Sequence, residues 1–178
     1  MKEKVKVLIS EQGIAKRVDE IAEQVMNDYK GKNITMICVL KGGVVFMVDL
    51  ARKIKQTVEM DFMDISSYGD STVSSGIIKI DKDLENPITG KDVLLVEDII
   101  DTGQTLTHLH RHLKAQNPAS LRICTLLDKP ARRISDQISP DYVGFVIPDE
   151  FVIGYGLDYA QRYRNLTYIG VLEFSEDD

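Results

Sequence analysis

An α/β fold with a mostly parallel central sheet is what the sequence predicts, on three observations. Three short, nearly all-apolar runs, NITMICVL (33–40), KDVLLVED (91–98) and SLRICTLL (120–127), have the composition of strands buried on both faces. Segments with helical apolar spacing lie between them, and such alternation implies right-handed crossovers. Two of the strand ends are rich in small and charged groups, LKGG (40–43) and VEDIIDTGQT (96–105). Open α/β sheets hold their ligands at such ends.

The elements follow in chain order. Residues 11–29 read as a helix, because Ile14, Val18, Ile21, Ala22, Val25 and Met26 share one face. Ser10 is placed to cap it and Gly31 to stop it. The run 33–40 is a strand, and the apolar stretch after KGG, as far as residue 54, is a helix. Residues 58–66 form a strand. The polar, small-residue stretch SYGDSTVSSG (67–76) forms a loop. A strand at 77–81 and a turn region at 82–90 lead into the strand 91–98. A helix spans about 103–116, and strands follow at 120–127, 142–147 and 166–172. There is no internal repeat and no low-complexity tract.

The chain of 178 residues is 43% hydrophobic and 28% charged, which fits one globular domain, 1–178. A net charge of −6 argues against a surface devoted to nucleic acid. Cys38 and Cys124 sit inside apolar runs and read as buried free thiols. No stretch approaches membrane-spanning length and the N-terminus shows no cleavage signal, so a cytoplasmic location is expected. The acidic end, SEDD (175–178), reads as a solvated tail.

The turn after the central strand poses a problem of charge. Amides of residues 102–105 at a helix N-terminus suit a phosphate without any side-chain charge. Thr102 and Thr105 add hydroxyls, and Gly103 lets backbone come close. Yet Glu97, Asp98 and Asp101 stand beside it, and neither GxxxxGK[ST] nor GxGxxG occurs. Carboxylates accept from sugar hydroxyls and ligate Mg²⁺. A ligand with a phosphate, a diol and a metal-bound polyphosphate would satisfy every group, and phosphoribosyl pyrophosphate is such a molecule.

VLLVEDIIDTGQTL (93–106) resembles the signature of the type I phosphoribosyltransferases. LKGG, SSYG (66–69) and VGFVIPDEFVIGYGLDYAQRYRNL (143–166) are similar to stretches of the hypoxanthine phosphoribosyltransferases, the purine-salvage branch, in their bacterial form. The likeness runs from about residue 5 to residue 174. It implies the type I fold, with a small hood built from N- and C-terminal segments. It implies transfer of the phosphoribosyl group to a 6-oxopurine with Mg²⁺ as cofactor, in a homodimer or homotetramer.

The resemblance also implies residue roles. Glu97, Asp98, Asp101, Thr102, Gly103, Gln104 and Thr105 would hold the phosphoribosyl group and its 5′-phosphate. Asp101 would take the proton from purine N7. Lys41, Gly42, Arg164, Ser67 and Tyr68 would bind pyrophosphate, the last two from a lid at about 67–76. Lys129, Phe151, Val152 and Asp158 would bind the purine, Lys129 through the 6-oxo group. Glu97, Asp98 and Asp158 would face the metal. A non-proline cis peptide would fall between Leu40 and Lys41.

Two rivals were weighed. A phosphoribosyl-pyrophosphate-sensing regulator that binds RNA on the same fold is disfavoured by the acidic charge. A phosphoacceptor receiver domain would place its acidic pair after the first strand, not past mid-chain. His108 and His112 in HLHRH have possible zinc spacing, but no acidic ligand follows at helical spacing, so a solvated or interface face is expected.

Overall fold

Nine strands and three helices appear among residues 2–67, 78–134 and 138–175, which the computed structural model describes. They are β1 (Lys2–Ile9), α1 (Glu11–Asp28), β2 (Ile34–Leu40), α2 (Val44–Lys53), β3 (Val58–Ser67), β4 (Ile78–Lys82), β5 (Asp92–Ile100), α3 (Gln104–Lys114), β6 (Ser120–Asp128), β7 (Tyr142–Val146), β8 (Val152–Ile153) and β9 (Ile169–Ser175). A 3₁₀ turn covers Pro130–Arg132. The main sheet has the order β4-β3-β2-β5-β6-β7. It is parallel throughout except for the edge strand β4, which runs antiparallel to β3. The second sheet, β1-β9-β8, is antiparallel and is the expected hood.

The apolar runs became central strands because both faces of the sheet are covered. Along β2, Met36 and Cys38 join the core on the side of α1 and α2, while Ile37 and Val39 join the core on the side of α3. On β5, Leu94 and Val96 face the first core and Val93 and Leu95 the second. That strict alternation is the pleat of a strand with two dry faces. The α1 helix starts where expected: Ser10 Oγ accepts from the Gly13 amide at 3.1 Å. It buries Ile14, Val18, Ile21, Ala22 and Val25. At its end the Tyr29 hydroxyl donates to the Val93 carbonyl at 2.9 Å, tying the helix to β5.

Several boundaries differ from the sequence reading, each for a physical reason. β5 runs on through the acidic pair to Ile100, because β6 keeps pairing with it as far as Asp128. α3 therefore starts at Gln104, after Gly103 in a left-handed conformation (φ 81°). The strand expected at 166–172 is shifted to Ile169–Ser175, its register set by β1. β1 was not read as a strand; its charged, alternating KEKVKVLI is a partner for β9 rather than a two-sided core strand. Ser175 pairs with Lys2, so it belongs to β9 and not to the acidic tail. Residues 176–178 lie outside the described residues, as do 68–77, which include Tyr68 and nearly all of the expected lid.

α3 holds the acidic turn against the sheet through three buried leucines, Leu106, Leu109 and Leu113. Leu109→Ala is expected to destabilise the protein by about 2–5 kcal/mol in urea unfolding, since α3 has few ways to close the cavity left behind.

Candidate active site

The acidic turn and the KGG loop are pressed together at the carboxyl ends of β2 and β5. A Cβ on Gly42 would stand 1.6 Å from Asp98 Oδ2, and one on Gly43 would lie 3.0 Å from Cys38 Sγ. Glycine at 42 is what allows the backbone to reach this carboxylate. The Leu40–Lys41 peptide is cis, as expected. A third loop closes the arrangement: Gly156 (φ +101°) packs so tightly that its Cβ would meet the Gly42 carbonyl at 2.2 Å. Arg164 braces that loop. Its Nη1 donates to the Gly156 carbonyl at 2.8 Å and its Nη2 pairs with Asp158 Oδ1 at 2.7 Å. Asp158 Oδ2 also accepts from the Gln161 amide at 2.8 Å.

A cavity of about 250 Å³ opens on the turn and is lined by Glu97, Asp98, Asp101, Thr102, Gly103 and Thr105, with apolar walls from Val39 and Ile65. Of the phosphate-turn residues named from sequence, only Gln104 is absent from its lining. The first hydrogen bond of α3 runs from the Thr107 amide to the Gly103 carbonyl at 3.0 Å. The amides just before it are not spent within the helix, and that of Gln104 donates to Thr102 Oγ1 at 3.4 Å. A larger cleft of about 680 Å³ lies between α1, α2 and residues 164–167. It touches only Arg164 of the expected residues, so the smaller cavity is where the chemistry converges.

Of the base-binding candidates, Lys129 is tied directly to a residue that lines this cavity, Ile100. The Lys129 amide donates to the Ile100 carbonyl at 2.9 Å, which fixes the end of β6 next to the end of β5. Lys129 is buried, 7% exposed, and is thus no solvated loop residue. Among the described residues its ion-pair partner is Asp149, at 3.9 Å, beyond hydrogen-bond range. Phe151 is 53% exposed and makes a T-shaped contact with Tyr159, with centroids 5.8 Å apart. Val152 is buried in β8. Ser67 ends β3, and Lys41 is exposed at the loop.

Burial dominates the electrostatics. The Glu97 carboxyl is pushed well above the usual carboxylate range by burial first and by neighbouring Asp98 second. Asp98 is also raised, mainly by burial; the Ile99 amide, donating to Oδ1 at 2.8 Å, and Arg164 work against that rise. Glu97 Oε1 and Asp101 Oδ1 are sheltered and accept no hydrogen bond among the described residues. A buried, under-partnered carboxylate oxygen suits a hard cation or a sugar hydroxyl, so Glu97, with the adjacent Asp98 carboxylate on the same cavity, fits Mg²⁺. Asp158 acts electrostatically on Asp98, although no ready-made cluster of three or more His, Cys, Asp or Glu ligands occurs among the described residues. A bound substrate would have to supply part of the coordination.

Sequence reasoning missed two residues. Arg132 Nε lies 2.9 Å from Asp101 Oδ1, and its Nη1 lies 3.5 Å from Asp149 Oδ1. The available signal was the spacing: Arg132 follows Lys129 by three residues after Pro130, which a 3₁₀ turn stacks on one side. The histidines of α3 form no zinc site among the described residues; His112 Nε2 meets Asp83 Oδ2 at 2.9 Å. Cys38 and Cys124 are free and buried.

Comparison with known proteins gives a consistent picture. A family model described as the phosphoribosyl transferase domain matches residues 6–160. The chain is 54% identical over 168 residues to a hypoxanthine-guanine phosphoribosyltransferase of Bacillus subtilis, covering 94% of this chain and 93% of that one. It is 52% identical over 168 residues to the bifunctional protein TilS/HprT of Listeria monocytogenes, where the match spans 26% of the longer protein. Among solved structures, a hypoxanthine-guanine phosphoribosyltransferase from Bacillus anthracis superposes with a TM-score of 0.90 at 49% identity, covering 94% of this chain and 99% of that one. No helix among the described residues is long and apolar enough to cross a membrane.

Two outcomes are expected from the geometry. A carboxyl raised by folding costs stability as pH climbs, because the unfolded chain ionises first and the folded one lags until its own carboxyl ionises. Glu97→Gln should therefore stabilise the ligand-free protein near pH 7 by ~1–3 kcal/mol, the usual scale for an unsatisfied buried polar group. The gain should shrink as pH falls toward the ordinary carboxylate range, and thermal melts at pH 4.5 and 7.5 read the difference. Gly42→Ala should drive Asp98 from its place, weakening binding of Mg²⁺-phosphoribosyl pyrophosphate at least about tenfold by calorimetry, the equivalent of one lost charge-assisted contact.

Proposed function

The chain belongs to the phosphoribosyl transferase family, and on that footing we propose that it is a 6-oxopurine phosphoribosyltransferase of purine salvage. It joins hypoxanthine, and guanine as a second substrate, to phosphoribosyl pyrophosphate and releases pyrophosphate and the nucleoside 5′-monophosphate. Near-full-length identity to a hypoxanthine-guanine phosphoribosyltransferase supports the substrate class. The observation that carries the chemistry is a helix N-terminal turn and the buried, under-partnered Glu97 carboxylate lining one cavity.

The amides of residues 102–105, with the hydroxyls of Thr102 and Thr105, take the 5′-phosphate. Glu97 and Asp98 accept from the ribose hydroxyls, and together with Asp158 they are the residues that would hold Mg²⁺. When bound, Mg²⁺ supplies positive charge against the leaving pyrophosphate. Arg164, Lys41 and the Gly42 amide bind the same group, with Ser67 and Tyr68 closing over it from a lid at about 67–76. Purine N9 attacks C1′ as the bond from C1′ to the pyrophosphate oxygen breaks, and the electron pair leaves with pyrophosphate. The electron-poor sugar is flanked by the acidic pair. The N7 proton passes to Asp101 Oδ1.

Lys129 donates to O6 of the purine. An ammonium has no acceptor, so adenine's amino group would leave both donors unpaired. Phe151 stacks on the ring, and backbone atoms at Val152 bind beside it. We place the chain in the cytoplasm as one functional domain, acting as a homodimer or homotetramer with neither nucleic acid nor membrane as partner. The buried free thiols and the acidic net charge support that placement.

Purified protein given Mg²⁺, phosphoribosyl pyrophosphate and one of five bases (hypoxanthine, guanine, xanthine, adenine, uracil) is expected to release pyrophosphate with hypoxanthine and scarcely with adenine. Equal turnover of adenine would remove Lys129 from its role. Asp101→Ala is expected to lower kcat by about 10²–10⁴, with far smaller changes in KM. A near-normal kcat would assign the proton to another group.

A further inference from the structure

Four charged side chains stand in a row beside the cavity: Asp101, Arg132, Asp149 and Lys129. Arg132 Nε is 2.9 Å from Asp101 Oδ1, Arg132 Nη1 is 3.5 Å from Asp149 Oδ1, and Lys129 Nζ is 3.9 Å from that same Asp149 oxygen. Two cations thus share one carboxylate oxygen, while the proposed proton acceptor is covered by one of them. The Arg132 amide donates to the Lys129 carbonyl at 3.1 Å, so a single turn carries both cations and couples their positions.

We propose that Arg132 is a positioning residue that changes partner when the purine enters. Lys129 leaves Asp149 for O6 of the base, Arg132 lets go of Asp101 and closes on the Asp149 oxygen it already touches, now shared with no other cation, and Asp101 is freed to meet N7–H. This inference rests on the 6-oxopurine reading of the site. Its logic is charge conservation: Asp149 keeps a cation before and after, Asp101 trades its cation for N7–H, and no carboxylate is stranded. The swap is easy because the contacts are weak. The side chains of Arg132, Asp101 and Asp149 are 48%, 42% and 52% exposed, and ion pairs in such settings hold little energy. The Asp101–Arg132 contact is also poorly aligned, since Asp101 Oδ1 accepts no hydrogen bond among the described residues. A guanidinium left on Asp101 would oppose proton transfer to it. The exchange therefore makes the base available only when a purine has engaged Lys129, and it links recognition at O6 to reactivity at N7.

A double-mutant cycle on Arg132→Gln and Asp149→Asn tests this, with hypoxanthine varied at saturating Mg²⁺ and phosphoribosyl pyrophosphate. Asp149→Asn removes the charge that draws Arg132 off Asp101, and should lower kcat/KM for hypoxanthine about tenfold, a coupling within the range for contacting residues. KM for phosphoribosyl pyrophosphate should move less than about twofold, within the scatter of an uncoupled site. In the Arg132→Gln background the same change should cost less than about twofold, because nothing then competes for Asp101. Equal losses in both backgrounds, or equal rises in both KM values, would overturn the exchange. A crystal of the wild-type protein with Mg²⁺, an unreactive phosphoribosyl pyrophosphate analogue and whichever free base the five-base panel selects, which still carries N7–H, reads the exchange separately from the identity of the substrate. Arg132 on Asp149 and clear of Asp101 is the expected result, and Arg132 still on Asp101 overturns it.

Discussion

Burial of two adjacent carboxyl groups at the end of β5 is the constraint around which the rest of the molecule is arranged. Glu97 and Asp98 lie near the end of a strand with both faces packed and are raised in pKa by burial there. Such groups are costly unless something arrives to use them. The surrounding loops are shaped to close directly on the pair. Gly42 lacks the Cβ that would strike Asp98, and Gly156 lacks the one that would strike the Gly42 carbonyl. The cores on both faces of β2 and β5 contribute the stability that lets the site stay under-partnered.

The hood holds the third loop to this centre. Ala160, Gln161 and Tyr163 all have positive φ without being glycine, a conformation that persists only when surroundings enforce it. The enforcement comes from a long way off in sequence. Glu3 on β1 accepts from Arg162 at 2.5 Å and from the Tyr163 hydroxyl, and these bonds, Arg162 first, hold its carboxyl below the usual range. Arg162 in turn lies over the rings of Tyr159 and Tyr163. The charged N-terminal strand is thus the anchor of the segment that carries Asp158 and Arg164. This explains why a stretch with so little apolar character is ordered at all.

The parts legible in the sequence were those where one residue type has one physical use. Apolar runs with no alternation could only be two-sided strands, and β2, β5 and β6 are that. Ser10, spaced for the Gly13 amide, could only be a cap. The acidic turn announced itself because carboxylates next to a phosphate-type turn have no ordinary structural purpose. What stayed hidden depended on long-range pairing. β1 has edge-strand composition and is defined only by β9. The true start of α3 depended on β6 extending β5 to Ile100. Arg132 and Asp149 look like any surface charges until the chain is folded, because their significance is a distance between β6's exit and the approach to β8.

The site therefore combines two kinds of acid with different mechanical character. Glu97 and Asp98 are fixed by packing and pushed toward neutrality, so they wait for a cation or hydroxyls and cannot wander. Asp101 and Asp149 are half exposed and already paired, so their partners can be exchanged without disturbing the core. The division follows from position along a strand end. Residues still inside the β5 ladder inherit its rigidity and its low dielectric, and those one turn beyond meet solvent and the basic 3₁₀ turn. A reaction that must hold one substrate immobile while admitting and deprotonating a second needs both behaviours within a few residues. A strand running out into a tight turn supplies them in sequence.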